Sequence, residues 1–221
     1  KGMGAVHHSS RFRELYDPHY RLLLTQYAGF FPALYRLAAL TGRKPGRRPL
    51  IAAIDGRCGS GKTSLAALIS EVFPCLVLHM DDYYLPPPQR PADWARLPAA
   101  NMDLQRFLTE ALEPAAEGRP VLCRPYDCGS GTLGTAVTLA PKPLVIVEGS
   151  YSQHPLLAPF YDLRIFLSCS GSCQEKRLAA REGERLEAFR QRWIPLEEQY
   201  FRAFRIPESS SLILETDHFF P

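Results

Sequence analysis

Eight consecutive residues constrain this chain most: Gly56-Arg57-Cys58-Gly59-Ser60-Gly61-Lys62-Thr63 fit the pattern G-x-x-x-x-G-K-[ST]. The run before them, Leu50-Ile51-Ala52-Ala53-Ile54, holds no polar side chain, as a strand buried on both faces requires. After them, Leu65, Leu68, Ile69 and Val72 recur at helical spacing. A strand that turns abruptly into a helix aims several backbone N–H groups and the positive end of the helix dipole at one spot, which suits a polyphosphate. The stretch therefore reads as a P-loop. Side chains at Gly56, Gly59 and Gly61 would hold the backbone off the phosphates, while Lys62 supplies a mobile positive charge and Thr63 a hydroxyl for Mg²⁺. Arg57, Cys58, Ser60 and Ser64 complete the set expected around a nucleotide.

The 221 residues, 46% hydrophobic and 22% charged, match an ordinary globular domain with one substantial core. A net charge of +3, spread along the chain, does not argue for nucleic acid, and a small anionic ligand is enough to account for it. Six cysteines are expected as free thiols, because a P-loop places the chain where ATP is, in the reducing cytoplasm. The alternative, a zinc site from Cys123, Cys128, Cys169 and Cys173, lacks the tight C-x-x-C spacing.

Lys1 to Gly4 is set aside as a frayed end. From Leu22 to Leu40 the chain is nearly long and apolar enough to span a membrane, but Pro32 and Arg36 interrupt it. Leu23, Tyr27, Phe30, Leu34 and Leu37 instead predict an amphipathic helix that packs on the domain or, in a homodimer, on a second copy. Residues 1–48 are thus expected as a helical extension, joined by the basic linker Thr41 to Pro49, and residues 49–221 as the P-loop domain.

A second buried strand, Cys75 to Met80, ends at Asp81-Asp82-Tyr83-Tyr84. In open α/β sheets the carboxyl ends of parallel strands line the ligand crevice, so acids there draw suspicion. The proline-rich stretch Leu85 to Pro98 is expected as a lid or a rigid wall. Asp103 precedes Leu104, Phe107, Leu108, Ala111 and Leu112 at helical spacing and reads as a helix cap. A hairpin is expected at about 120–140, with a glycine-rich turn at Gly129 to Gly134. The apolar strand Leu144 to Val147 ends in Glu148, the form taken when a carboxylate faces the nucleotide metal.

A further strand, Leu163 to Leu167, leads to two arginine-rich helical runs, Cys173 to Arg181 and Glu184 to Phe204, and Leu212-Ile213-Leu214 closes the sheet. This alternation predicts an α/β fold with a mostly parallel, doubly wound sheet. Arg177, Arg181 and Arg185 can share one face if the helix continues, with Gly183 as hinge, and a lid is expected at about 173–192.

The ordered set of Gly56 to Thr63, Asp81-Asp82-Tyr83-Tyr84, Asn101-Met102-Asp103, Pro125-Tyr126-Asp127, Val147-Glu148-Gly149 and the run from Arg177 resembles the uridine kinase family of P-loop small-molecule kinases, to which phosphoribulokinase and bacterial pantothenate kinase are related. The likeness covers residues 49–216. It implies ATP or GTP with Mg²⁺ as donor and a hydroxyl of a nucleoside or nucleoside-like metabolite as acceptor. By the same resemblance Asp81 would accept the acceptor proton, with Lys62 and Arg181 as catalytic cations. Asp103, Tyr83, Tyr84, Tyr126 and Arg185 would contact the acceptor, Arg177 the nucleotide, and Thr63 and Glu148 the metal.

Tyr126-Asp127 runs into Cys128-Gly129-Ser130-Gly131, where nucleoside-specific members have an aromatic residue and then a base-reading histidine. Another hydroxylated metabolite therefore stands beside the nucleoside as acceptor. His154 lies near the crevice by sequence and is either a substrate contact or a surface residue. The competing reading is a nucleotide-dependent switch that hydrolyses slowly and acts through a protein partner, for which Asp81 and Asp103 would have no use.

Overall fold

A computed structural model describes residues 7–19, 25–42 and 48–220 of the 221. Lys1 to Gly4, Leu23 and most of the basic linker lie outside the described residues. In chain order the elements are α1 (Ser10–Tyr16), α2 (Thr25–Thr41), β1 (Leu50–Gly56), α3 (Lys62–Val72), β2 (Cys75–His79), α4 (Leu104–Phe107) and α5 (Glu113–Ala116). Then follow β3 (Val121–Cys123), β4 (Tyr126–Asp127), β5 (Thr132–Leu133), β6 (Val137–Leu139), β7 (Leu144–Glu148) and β8 (Leu163–Ser168). Helices α6 (Gly171–Glu182), α7 (Leu186–Ala188), α8 (Ile194–Phe204) and α9 (Ile206–Ser209) precede β9 (Leu212–Glu215).

Five strands form one parallel sheet in the order β2-β7-β1-β8-β9, with helices on both faces. Strands without alternation build it because both faces are covered: β1 is buried from Ile51 to Gly56 and β7 along its whole length. Successive residues feed opposite cores. Ile51, Val145, Val147 and Phe166 meet Phe107, Leu112, Tyr200 and Phe201 on one face. On the other face Ala52, Ile54, Ile146 and Ile165 meet Leu65 and Ile69 of α3 together with Phe30, Ala33 and Leu37 of α2.

The amphipathic stripe of α2 is therefore spent on the domain's own core, and Pro32 is carried inside the helix. No helix among the described residues is long and apolar enough to cross a membrane.

The expected hairpin is two short antiparallel ladders, β3 with β6 and β4 with β5. Pro125 separates them because it has no N–H to donate, and the Gly134 N–H caps the Pro125 carbonyl at 2.7 Å.

β1 sits between β7 and β8, so the loop leaving it emerges where connections depart to both sides. The register sets Glu148 of β7 level with Ile54 of β1 and with His79 of β2. Carboxyl ends of three strands thus share one rim.

Phe30 is almost fully buried and meets Phe219 edge-on at 5.2 Å. Phe30→Ala is expected to lower unfolding free energy by about 3–5 kcal/mol, the usual cost of deleting a core aromatic ring. Chemical denaturation checks this, and a loss under about 1 kcal/mol would show α2 to be an appendage.

Candidate active site

The loop from Gly56 to Gly61 reverses the chain between β1 and α3 with positive φ at three glycines: 143° at Gly56, 78° at Gly59 and 95° at Gly61. At Gly56 a Cβ would sit 2.1 Å from the Leu167 carbonyl oxygen, so β8 itself demands glycine there. The Lys62 ammonium arches back over the loop and donates to the carbonyls of Gly56 (2.7 Å) and Arg57 (3.1 Å). Thr63 Oγ1, on the first turn of α3, lies 3.4 Å from both Glu148 carboxylate oxygens.

Glu148 is buried and also bonds His79 Nδ1 at 2.6 Å; that carboxylate hydrogen bond holds the imidazole above its ordinary pKa against the opposing effect of burial. A hydroxyl and a carboxylate are hard oxygen donors that suit a divalent cation, so Thr63 and Glu148 are the side chains fitted to hold Mg²⁺ with a nucleotide.

These groups open into a cleft of about 930 Å³, a size that takes a nucleotide and a small second ligand. Of the residues singled out in the sequence, Cys58, Gly59, Gly61, Lys62, Thr63, Ser64, Asp81, Tyr84, Glu148, Arg177, Arg181 and Arg185 line it. Asp81 and Asp82 occupy a 3₁₀ turn (Met80–Tyr83). The two aspartates diverge. Asp81 borders the cleft and accepts from the Tyr84 hydroxyl at 3.2 Å, whereas half-buried Asp82 turns toward Cys123, and burial raises its pKa.

Other predicted residues lie off the cleft wall. Asp103 caps α4 by accepting from the Arg106 N–H at 3.1 Å and pairs with the Arg106 guanidinium at 3.3 Å. Tyr83 is buried beneath that guanidinium, which sits 4.3 Å from its ring centroid, and Tyr126 is buried on β4. Gly56 and Ser60 are buried within the loop. The Arg57 side chain leaves for the opposite side, bonding Glu198 (2.6 Å), Ser168 (3.0 Å) and the Cys169 carbonyl (3.1 Å). His154 packs against Phe204 at 4.8 Å, and burial lowers its pKa.

The three lid arginines differ. Gly183, at φ 56°, ends α6, so the single helical face imagined for them does not continue, yet all three reach the cleft. Arg177 is spent on structure, donating to Gly59 O (3.1 Å), Thr216 Oγ1 (3.0 Å) and Thr216 O (2.5 Å). Arg181 and Arg185 share Glu182, at 2.7 and 3.1 Å.

Two buried acids were not legible as site residues. Asp55, the last side chain before Gly56, accepts from the N–H groups of Gly56 (2.8 Å) and Gln153 (3.0 Å) and from the Tyr200 hydroxyl (2.8 Å). Glu197 accepts from the Cys58 N–H at 2.9 Å and from the Ser150 hydroxyl, and it lines the cleft. One polar residue inside an apolar strand was the available signal for Asp55; Glu197 has none, since its helix looks amphipathic with or without it.

The six cysteines are free, and among the described residues no three His, Cys, Asp or Glu side chains converge as a metal site.

No family model matches this chain, and no curated protein matches it at a significant level. Solved structures do. A possible uridine kinase from Bacillus stearothermophilus is similar at TM-score 0.62 with 18% identity, covering 84% of this chain and 98% of that one. A candidate fructose transport system kinase from Silicibacter sp. TM1040 is similar at 0.58 and 22%, covering 80% and 98%. D-glycerate 3-kinase from Cryptococcus neoformans is similar at 0.57 and 17%, covering 87% and 95%. The fold of this chain is thus the one shared by these P-loop kinases.

Burial pushes the Asp55 carboxyl from its ordinary 3.8 up to about 6, against the lowering by Gln153, Lys62, Tyr200 and Gly56. Because the folded-state value is raised, its contribution to stability is fully present below about pH 4 and is lost as pH rises through about 6. Two units at about 1.4 kcal/mol each make roughly 3 kcal/mol. Between pH 4 and 7 the unfolding free energy of the wild type should fall relative to that of Asp55→Asn by about this amount. A difference profile flat in pH would refute the assignment.

Proposed function

We propose that the protein is a small-molecule kinase that transfers the γ-phosphoryl group of ATP, or GTP, to an alcohol. One observation carries this reading: Asp81 shares a single cleft with Lys62, Thr63 and Glu148, so a potential proton acceptor faces a phosphate-binding loop. A nucleotide switch needs the loop but has no use for that second wall. The resemblance to uridine kinases makes a nucleoside or nucleoside-like metabolite the first acceptor class to test.

In the proposed reaction the acceptor oxygen forms a bond to the γ-phosphorus while the bond from that phosphorus to the bridging oxygen breaks and ADP departs. Asp81 takes the hydroxyl proton and returns it to water. Lys62 neutralises charge on the transferred group, and Arg181 and Arg185 leave Glu182 for the phosphates when the lid closes. Mg²⁺ held by Thr63 and Glu148 would neutralise phosphate charge.

Lys62→Ala should abolish ADP release while circular dichroism and the melting curve stay near wild type, because among the described residues the ammonium's hydrogen bonds go to its own loop. Turnover within about a factor of two of wild type would contradict a role in neutralising the transferred group.

Asp81→Asn should lose about 10²–10⁴ of acceptor-dependent turnover, whereas Asp82→Asn, turned to Cys123, should keep most of it. Comparing the two side by side checks the base assignment. An inactive Asp82→Asn beside an active Asp81→Asn would move the base by one residue.

A further inference from the structure

Beyond Asp81, the cleft has a wall that the proposed chemistry leaves unassigned. It starts at Asp81, bonded to the Tyr84 hydroxyl at 3.2 Å. The Tyr84 ring lies 6.4 Å from Trp193, and Trp193 lies 6.3 Å from Trp94. The Arg90 guanidinium sits 5.0 Å over Trp94. A row thus runs from a carboxylate, across Tyr84 and Trp193 of the cleft and then Trp94 behind its lining, to a cation.

Trp193 ends a π-helical turn (Phe189–Trp193) between α7 and α8, and both its terminal aromatics line the cleft. Such turns are uncommon and favour functional sites, because one extra residue per turn re-aims the side chains.

Arg90 differs from every other cation of the cleft. Lys62 belongs to the P-loop, Arg177 is saturated by carbonyl and hydroxyl oxygens, and Arg181 and Arg185 pair with Glu182. Arg90 makes no ion pair among the described residues. It is nevertheless held in place: its Nε donates to the Leu85 carbonyl at 2.8 Å, its Cζ lies over the Trp94 ring, and it stems from a loop stiffened by Pro86, Pro87, Pro88 and Pro91. A guanidinium fixed through one nitrogen keeps two terminal nitrogens for bidentate recognition of a carboxylate or phosphate.

Cys128, at the hairpin tip, completes this end of the cleft. Burial raises its thiol, Asp81 adds to the rise, and Arg90 opposes it. Asp81, Arg90 and Cys128 all line the same cleft.

We propose that the acceptor is an anionic alcohol, which places its reacting hydroxyl at Asp81, lays its apolar face on Tyr84 and Trp193, and sets a carboxylate or phosphate ester against Arg90. This rests on the kinase reading and narrows it: a plain nucleoside offers Arg90 no partner. Arg90 is then a specificity residue that raises affinity for the acceptor and takes no part in proton transfer.

The test is ADP release from ATP and Mg²⁺ with three acceptor panels, followed by the Arg90 variants. The panels are uncharged alcohols (uridine, adenosine, ribose, glycerol), hydroxy carboxylates (glycerate, gluconate, pantoate) and phosphate esters (glycerol phosphate, ribose phosphate). Acceptor-dependent release is expected with one of the two anionic panels, and which of them responds tells carboxylate from phosphate. A charge-assisted hydrogen bond contributes about 1.5–3 kcal/mol, so Arg90→Gln should raise the KM of that acceptor about ten- to a hundredfold. The KM for ATP should stay within about a factor of two, and Arg90→Lys, which keeps the charge without the fork, should restore only part of the affinity.

Release with an uncharged alcohol as the best acceptor overturns the inference and leaves the kinase standing. An anionic acceptor whose KM ignores Arg90→Gln overturns it as well. Release with none of the panels, from protein that binds ATP, overturns it together with the kinase reading.

Discussion

The grip of one helix on the P-loop is the constraint on which the rest depends. A loop with three left-handed glycines has few side chains of its own to pack and hold it. Here α8 supplies the scaffold from outside. Tyr200 bonds Asp55 at the loop's entry, Glu197 takes the Cys58 N–H, and Glu198 pairs with Arg57. Three residues spaced along one helix fix three successive parts of the strand-to-loop junction. The cost is a fully buried carboxylate at Asp55, tolerated because three donors surround it.

The same helix connects the P-loop to the arginines of the cleft. Arg181 and Arg185 lie on the segment that leads through α7 and the π-helical turn into α8. The helix that steadies the P-loop is therefore the continuation of the segment that carries these two cations. Arg181 and Arg185 are held by Glu182, a pairing that a polyphosphate with greater charge can replace. Arg177, by contrast, ties α6 to Gly59 and to the turn after β9, and it sits 4.8 Å from the Phe220 ring.

The fold was legible because its signals are local and redundant. Unbroken apolar runs announced the buried strands, and the glycine pattern announced the loop between β1 and α3. The acids at the ends of β2 and β7 were legible for the same reason, since the carboxyl ends of parallel strands line the crevice. What escaped was set by packing between distant segments. Asp103 caps α4, as its place before a helical run implied, whereas the burial of Tyr126 on β4 is something no spacing reveals. Glu197, Trp193 and Arg90 carry no motif at all. Each becomes a cleft residue only because α8, the π-helical turn and the proline-rich loop converge on one rim.

The central claim, that this cleft moves a phosphoryl group onto a small molecule, is tested most directly by following the group itself. Purified protein is incubated with Mg²⁺ and ATP labelled at the γ-phosphate, together with the protein-free small-molecule fraction of a cell extract, and the products are separated. The account predicts label in a dialysable organic compound, formed with wild-type protein and absent when the P-loop lysine is removed. Label found only in inorganic phosphate would contradict it and point to a nucleotide hydrolase.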